Sequence, residues 1–265
     1  MIAAGGNPKY IEGFGPKAAG FDQVPFGDIE AVKAAITDAT AAILIEPIQG
    51  EGGIKVADPS FLRALRQLCD ERGLLLIFDE VQTGVGMTGT PWAYQQLGVT
   101  PDVVAFGKKA QVCGVMAGGR AREEQFRTRV DEVPDNVFHV SSRINSTWGG
   151  NLTDMVRARR ILEVIEADGL IDNAVRMGWY LVGQLRCLAT EFPALVLNPR
   201  GRGLMCAFSM PSAAQRDEVI RRLWQHRVIL LASGADSVRF RPALTVSRSE
   251  IDEAVQAVRD VLAAL

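Results

Sequence analysis

Histidine and cysteine are scarce in this chain. The two histidines, His139 and His226, are too few and too far apart in sequence to suggest a histidine-rich metal centre. The four cysteines, Cys69, Cys113, Cys187 and Cys206, form no CxxC pair. That argues against a zinc or disulfide framework and for reduced thiols in a cytoplasmic protein. Basic excess is missing as well. With a net charge of −2 there is no field that points to nucleic acid and no polybasic stretch that points to a membrane. The longest apolar runs, such as Leu74 to Phe78, are far too short to span a bilayer. Residues Met1 to Gly6 lack the basic start and apolar centre of a signal peptide. No GxGxxG directly follows an apolar run, the one at 84–89 being set off from Phe78 by five residues, which weakens the case for a dehydrogenase. Internal repeats and low-complexity tracts are also absent.

What is present is an ordinary globular composition, with 48% hydrophobic and 23% charged residues. A length of 265 residues suits one large domain or two modest ones. Three short apolar runs mark the first half: Ala41 to Ile45, Leu74 to Phe78 and Val103 to Phe106. They are continuous rather than alternating, the pattern of parallel strands buried on both faces. Between the first two, the spacing predicts a helix over 59–72. Asp58 can cap it, Pro59 takes its first position and Gly73 stops it. Phe61, Leu62, Leu65, Leu68 and Cys69 recur at helical spacing. Glu46, Asp79 and Lys108 follow the three runs. In open α/β sheets ligands sit beyond the carboxyl ends of strands. The plainer reading of each residue alone is a wet loop after a strand.

The second half predicts a helix over 152–168, with Met155, Ala158, Leu162 and Ile165 on one face, and another over 174–190. Apolar segments at 203–209, 228–232 and 237–240 and a closing helix from 248 suggest a small α+β unit. Ser247 and Glu250 form a capping-box pattern before that last helix. A division into 1–155 and 156–265 follows.

Four stretches in order carry a resemblance: EPIQGEGG at 46–53, LLIFDEVQTGVGMTG at 75–89, PDVVAFGKK at 101–109 and NSTWGGN at 145–151. With them the chain resembles the class III, ornithine- and acetylornithine-type aminotransferases, which depend on pyridoxal 5'-phosphate (PLP). The resemblance implies fold type I: an α/β large domain with a mainly parallel sheet, incomplete here, and a small C-terminal α+β domain.

It also implies roles. Lys108 matches the lysine that bonds the cofactor aldehyde, with Lys109 as its uninvolved neighbour. Asp79 matches the carboxylate that keeps the ring nitrogen protonated. Gln82 matches a residue that hydrogen-bonds the ring hydroxyl or its neighbours. Thr147, with Ser146 beside it, matches a phosphate ligand contributed across a homodimer interface. Arg239 matches the arginine that holds an α-carboxylate, since a planar fork suits that group, and Arg241 is expected at the surface. Glu51 matches a glutamate that pairs with this arginine and swings away for a dicarboxylate. The plainer readings are a strand-end surface lysine, turn carboxylates, a surface glutamine and a polar turn before a helix.

The implied reaction is a ping-pong transfer of a terminal amino group to 2-oxoglutarate. The first 85 residues look like acetylornithine aminotransferases, and the remainder looks closer to lysine 6-aminotransferases. The lysine and threonine segments favour L-lysine as donor, with acetylornithine close behind. Family members carry a long stretch before the point matching Met1, with a phosphate loop and a ring-stacking aromatic. A motif-bearing fragment or scaffold without activity is therefore the rival expectation. The charged segment AREEQFRTR at 121–129 matches nothing and reads as a solvated insertion.

Overall fold

The computed structural model describes residues 2–118, 143, 147 and 150–265. Its elements run α1 (Ile29–Ala35), β1 (Ala42–Ile45), β2 (Ile48–Gln49), β3 (Lys55–Val56), α2 (Pro59–Arg72), β4 (Leu75–Asp79), α3 (Tyr94–Leu97), β5 (Val103–Phe106) and β6 (Gly114–Ala117). They continue with α4 (Leu152–Ala167), α5 (Leu170–Glu191), β7 (Leu197–Arg202), β8 (Met205–Ser209), α6 (Ala213–Gln225), β9 (Leu231–Ser233), β10 (Ser237–Phe240) and α7 (Arg248–Ala263).

The first sheet has the order β1-β4-β5-β6. The three apolar runs pair in parallel, Ala42 beside Leu75 and Ile77 beside Val103, and β6 closes the sheet antiparallel. Helix α2 packs against β1 and β4. Asp58 accepts the Ser60 N–H at its start, and Gly73, at φ +67°, ends it in the left-handed region that suits glycine. Its buried stripe is the one the spacing predicts: Phe61, Leu62, Leu65, Leu68 and Cys69.

The sheet departs from expectation on one face. Leu76, Phe78 and Val104 point into the core, whereas Leu44, Leu75 and Val115 on the opposite face are about half exposed. Alternation along a strand sends neighbours to opposite faces. Among the described residues only one of those faces carries a helical layer, so apolar side chains on the other stay open.

The second sheet is antiparallel, with the order β7-β8-β10-β9. Helices α5, α6 and α7 pack with it and one another around Leu181, Leu185, Leu204, Phe208, Val219 and Val258. The predicted capping box is present, Ser247 and Glu250 bonding reciprocally at the start of α7. Helix α5 begins four residues before the predicted start at 174, because Gly169 (φ +61°) ends α4 and serves as the cap of α5. On α4, Ala158 and Ile165 are buried but Met155 and Leu162 are exposed, so the packed stripe runs through Ile161 instead. The 155/156 division falls inside this helix.

Two close backbone approaches meet at Gly203, and the second joins the two halves of the chain. A Cβ at Gly178 of α5 would collide with the Gly203 carbonyl, and one at Gly203 would come within 2.5 Å of the Met87 carbonyl oxygen. Leu204 N–H donates to that same Met87 oxygen at 3.0 Å. The chain between β4 and α3 is thereby pinned against the second sheet.

Candidate active site

The parallel strands end side by side, so the loops that follow them meet. Glu46 follows β1, Asp79 closes β4, and Lys108 stands two residues beyond β5. Burial raises the Glu46 carboxyl above the usual carboxylate range, and the charges of Asp79 and Glu51 push it the same way. The Gly50 N–H and the Lys108 charge oppose this. Glu46 Oε2 accepts that N–H at 3.0 Å, which folds the loop after β2 back over the strand end.

That loop carries Glu51, and the second sheet clamps it. Ser233 Oγ donates to the Gly50 carbonyl at 2.7 Å, Gly234 N–H to the Glu51 carbonyl at 2.8 Å, and Arg200 Nε to the Gly53 carbonyl at 2.9 Å. Glu51 Oε1 then accepts from Arg239 Nη1 of β10 at 2.8 Å and from Gln82 Nε2 at 2.8 Å. Burial would raise the Glu51 carboxyl, but these two hydrogen bonds, with the charges of Arg239 and Lys108, outweigh it and hold it below its ordinary range. Arg239 is only 6% exposed, while Glu51 is half exposed. A buried guanidinium thus meets a carboxylate that is open to water on its other side.

Gln82 is buried, not a surface glutamine. Its side chain lies against Gly50, where an added Cβ would come within 2.5 Å of Gln82 Cδ. Gln82 Oε1 and Arg239 Nε are both shielded from solvent with no hydrogen-bond partner. Such orphaned groups are costly, and they mark places where a ligand can complete the bonding. Asp79 Oδ1 accepts the Val81 N–H at 3.0 Å, which shapes the turn after β4.

Lys108 is exposed, at φ +46°, and its carbonyl accepts from the Gln111 backbone N–H at 2.9 Å. It lines a shallow, open hollow together with Lys109, Gln111, Arg157, Ile161 and Arg241. Lys109 is half-buried; burial, and then the charge of Arg241, lower its amine to about 8. Thr147 occupies an exposed turn position, and Ser146 and the 121–129 segment lie outside the described residues.

Sequence reasoning passed over two residues. Glu80, almost fully buried, accepts the Ala93 N–H at 2.6 Å, the Tyr94 N–H at 2.9 Å and the Thr83 hydroxyl at 2.9 Å. It fixes the loop that carries Gln82, and its place beside Asp79 in FDE is the available signal. Arg241, expected at the surface, is half-buried on the wall of that hollow, and burial lowers its guanidinium. The period-2 spacing of Arg239 and Arg241 was its signal, because residues two apart on an extended chain share a side.

The chain is similar to known aminotransferases. L-lysine-epsilon aminotransferase of Mycobacterium tuberculosis is 67% identical over 222 residues, covering 84% of this chain and 47% of the relative. Acetylornithine aminotransferase of Gloeobacter violaceus is 41% identical and is matched along 100% of this chain and 63% of its own length. The solved lysine aminotransferase from M. tuberculosis in the internal aldimine form superposes with a TM-score of 0.82 at 63% identity, over 89% of this chain and 52% of that one. Ornithine aminotransferase from Toxoplasma gondii gives a TM-score of 0.84 at 28% identity, over 99% of this chain and 61% of that one. The chain spans about half the length of the lysine aminotransferases it matches, 47% to 51%. Residues 1–262 match the Aminotransferase class-III family, and the chain belongs to it.

Proposed function

We propose that this chain carries the lysine-bearing part of an aminotransferase active site, which uses PLP to pass the terminal amino group of L-lysine to 2-oxoglutarate. The observation that carries this reading is Glu51, whose Oε1 accepts from both Arg239 and Gln82, at the strand ends where Asp79 and Lys108 stand.

The residues fit the cofactor. Gln82 Oε1 is buried and unpartnered, so a bound donor would satisfy it. Asp79 ends a parallel strand, and Lys108 stands just beyond the end of the neighbouring one, its amine open to an incoming molecule. When bound, PLP supplies an electron sink that loosens a proton on the substrate carbon. In this reading Asp79 holds a proton on the ring nitrogen, and Lys108 Nζ, once free, carries one to and from the substrate carbon. Arg239 covered by Glu51 refuses a carboxylate close to the reacting carbon, which favours a substrate presenting a terminal amine. With Glu51 turned away, the same guanidinium is free for a keto acid's carboxylate.

Thr147 completes this reading as a phosphate ligand, with Ser146 beside it, in a cytoplasmic homodimer where the partner subunit's Thr147 reaches across. Residues 1–155 then belong to the cofactor-binding domain and 156–265 to the small domain. L-lysine is favoured over acetylornithine because the lysine-acting relatives are 52% to 67% identical and the acetylornithine-acting ones 40% to 42%.

The test is cofactor capture by the purified chain: PLP is added, the adduct is reduced with borohydride, and the modified lysine is mapped by mass spectrometry. A stoichiometric adduct at Lys108, lost in Lys108→Ala and kept in Lys109→Ala, is expected. Labelling scattered over surface lysines would leave a motif-bearing fragment in place of an active site.

A further inference from the structure

The row of residues that carries Arg239 across the second sheet holds a second arginine. Arg239 of β10 is in register with Ala207 of β8, and Ala207 with Arg200 of β7. Residues in register across neighbouring strands share a face, so the small Ala207 stands between two guanidinium-bearing side chains on one side of the sheet. Ser237 lies two residues from Arg239 along β10 and faces the same way, in register with Ser209. This side meets the loop at 50–53.

Both arginines act on that loop, at different atoms. Arg239 meets the Glu51 carboxylate. Arg200 meets backbone: its Nε donates to the Gly53 carbonyl at 2.9 Å, and its Nη2 donates to the same oxygen. Nη2 also donates to Ser237 Oγ at 2.7 Å, and Nη1 to the Asn198 carbonyl at 2.8 Å and to Ser209 Oγ at 3.3 Å. A planar fork with several fixed donors suits such a many-sided grip, and a lysine's single ammonium does not.

The loop needs support from outside. Glycine stands at 50, 52 and 53, and Gly53 takes φ +110°, so the backbone around Glu51 has little preference of its own. Ser233 and Gly234 hold the carbonyls of Gly50 and Glu51, and Arg200 holds that of Gly53. Arg200 differs from the other two in also gripping Ser237 with its side chain, so that one group reaches both the loop of Glu51 and the strand of Arg239.

We infer that Arg200 is a positioning residue for the Glu51–Arg239 pair: by bonding Gly53 and Ser237 at once, it holds loop and strand at the spacing where carboxylate and guanidinium meet. One consequence rests on the aminotransferase reading. There Arg200 sets how firmly Glu51 covers Arg239, and so how readily that guanidinium is released to a keto acid's carboxylate.

The experiment measures the pair without any cofactor. Urea unfolding of the purified chain, Glu51→Gln, Arg239→Met and the double variant gives the coupling between the two residues, expected to be roughly tenfold in the folding equilibrium. The cycle is repeated on Arg200→Lys, which keeps the charge but not the fork, and on Ser237→Ala, which removes the grip on β10. On either background the coupling is expected to shrink to roughly threefold or less. A residue that only supports the fold lowers all four stabilities together and leaves the coupling as it was. Unchanged coupling on both backgrounds therefore overturns the proposal, as does a wild type without coupling. Should an Arg239 variant not fold, NMR titration of the Glu51 carboxyl, assigned with Glu51→Gln, replaces the cycle. Its midpoint is expected to rise in Arg200→Lys and Ser237→Ala as the contact to Arg239 loosens, since Lys108 and Arg241, whose charges also reach Glu51, are untouched. An unmoved midpoint overturns the proposal. Lysine mapping separates the two readings. Coupling that depends on Arg200 without a Lys108 adduct keeps the positioning role and removes its transferase consequence, and an adduct with unchanged coupling does the reverse.

Discussion

Glu51 Oε1 lies 2.8 Å from Arg239 Nη1, joining a loop of the first half of the chain to a strand of the second across 188 residues. The guanidinium is buried and the carboxylate half exposed. Glu51→Gln keeps a hydrogen-bond acceptor but removes the charge that balances Arg239. Its expected cost is about 1–3 kcal/mol of stability, moderated by water at the exposed side. Urea unfolding of the two proteins measures it, and an unchanged midpoint would show that solvent already satisfies Arg239.

Lys109 sets a pH dependence. Its amine is lowered to about 8, burial being the larger cause, so the folded chain binds this proton less tightly than the unfolded one. Below that value both states are charged and the folded state bears the full penalty. As pH rises through about 8 towards the ordinary lysine range, the folded state sheds the proton first and stability increases. Urea midpoints at about pH 7.5 and about pH 9.5 give the sign, and in Lys109→Met this component of the rise should vanish.

Gly178→Ala tests the contact between α5 and the Gly203 turn. The added methyl has the Gly203 carbonyl in its way, and Gly203 is itself pressed against Met87 and Thr88. A backbone in that position cannot move as a flexible side chain can. Destabilisation of about 1–3 kcal/mol is expected, with a lower melting temperature by circular dichroism. An unperturbed melt would mean that the turn has room to yield.

Thr147→Ala addresses the phosphate role proposed for that residue. PLP retention on dialysis is expected to fall roughly tenfold, the scale of one hydrogen bond to a charged group, while the preference between lysine and acetylornithine stays as in wild type. Equal retention would remove Thr147 from the phosphate site.

Local features of this molecule were the legible ones. Helix α2 has the bounds, cap and buried stripe that Asp58, Pro59, Gly73 and the leucine spacing predict, because each is decided within a few residues. The three parallel strands announced themselves as apolar runs. Strand β7, Leu197–Arg202, did not: its sequence LNPRGR has no apolar alternation, and Asn198 takes φ +45° beside a register shift. It is a strand because β8 offers it an edge. Gly169 was read only as a stop, although the structure uses it also as a start.

By itself the sequence determined where chemistry-bearing residues fall relative to secondary structure. Glu46, Asp79 and Lys108 follow apolar runs, and loops begin where such runs end. It also determined, through four ordered motifs, the family to which the chain belongs. Tertiary structure alone decided which charges are compensated. It buried Arg239 against Glu51, which also holds Gln82, drew Glu80 into the loop as a backbone anchor, and left Arg241 and Lys109 half-buried without a carboxylate partner among the described residues. The reason is that desolvation and pairing depend on neighbours brought together from distant parts of the chain, and no local pattern records which side chain will arrive.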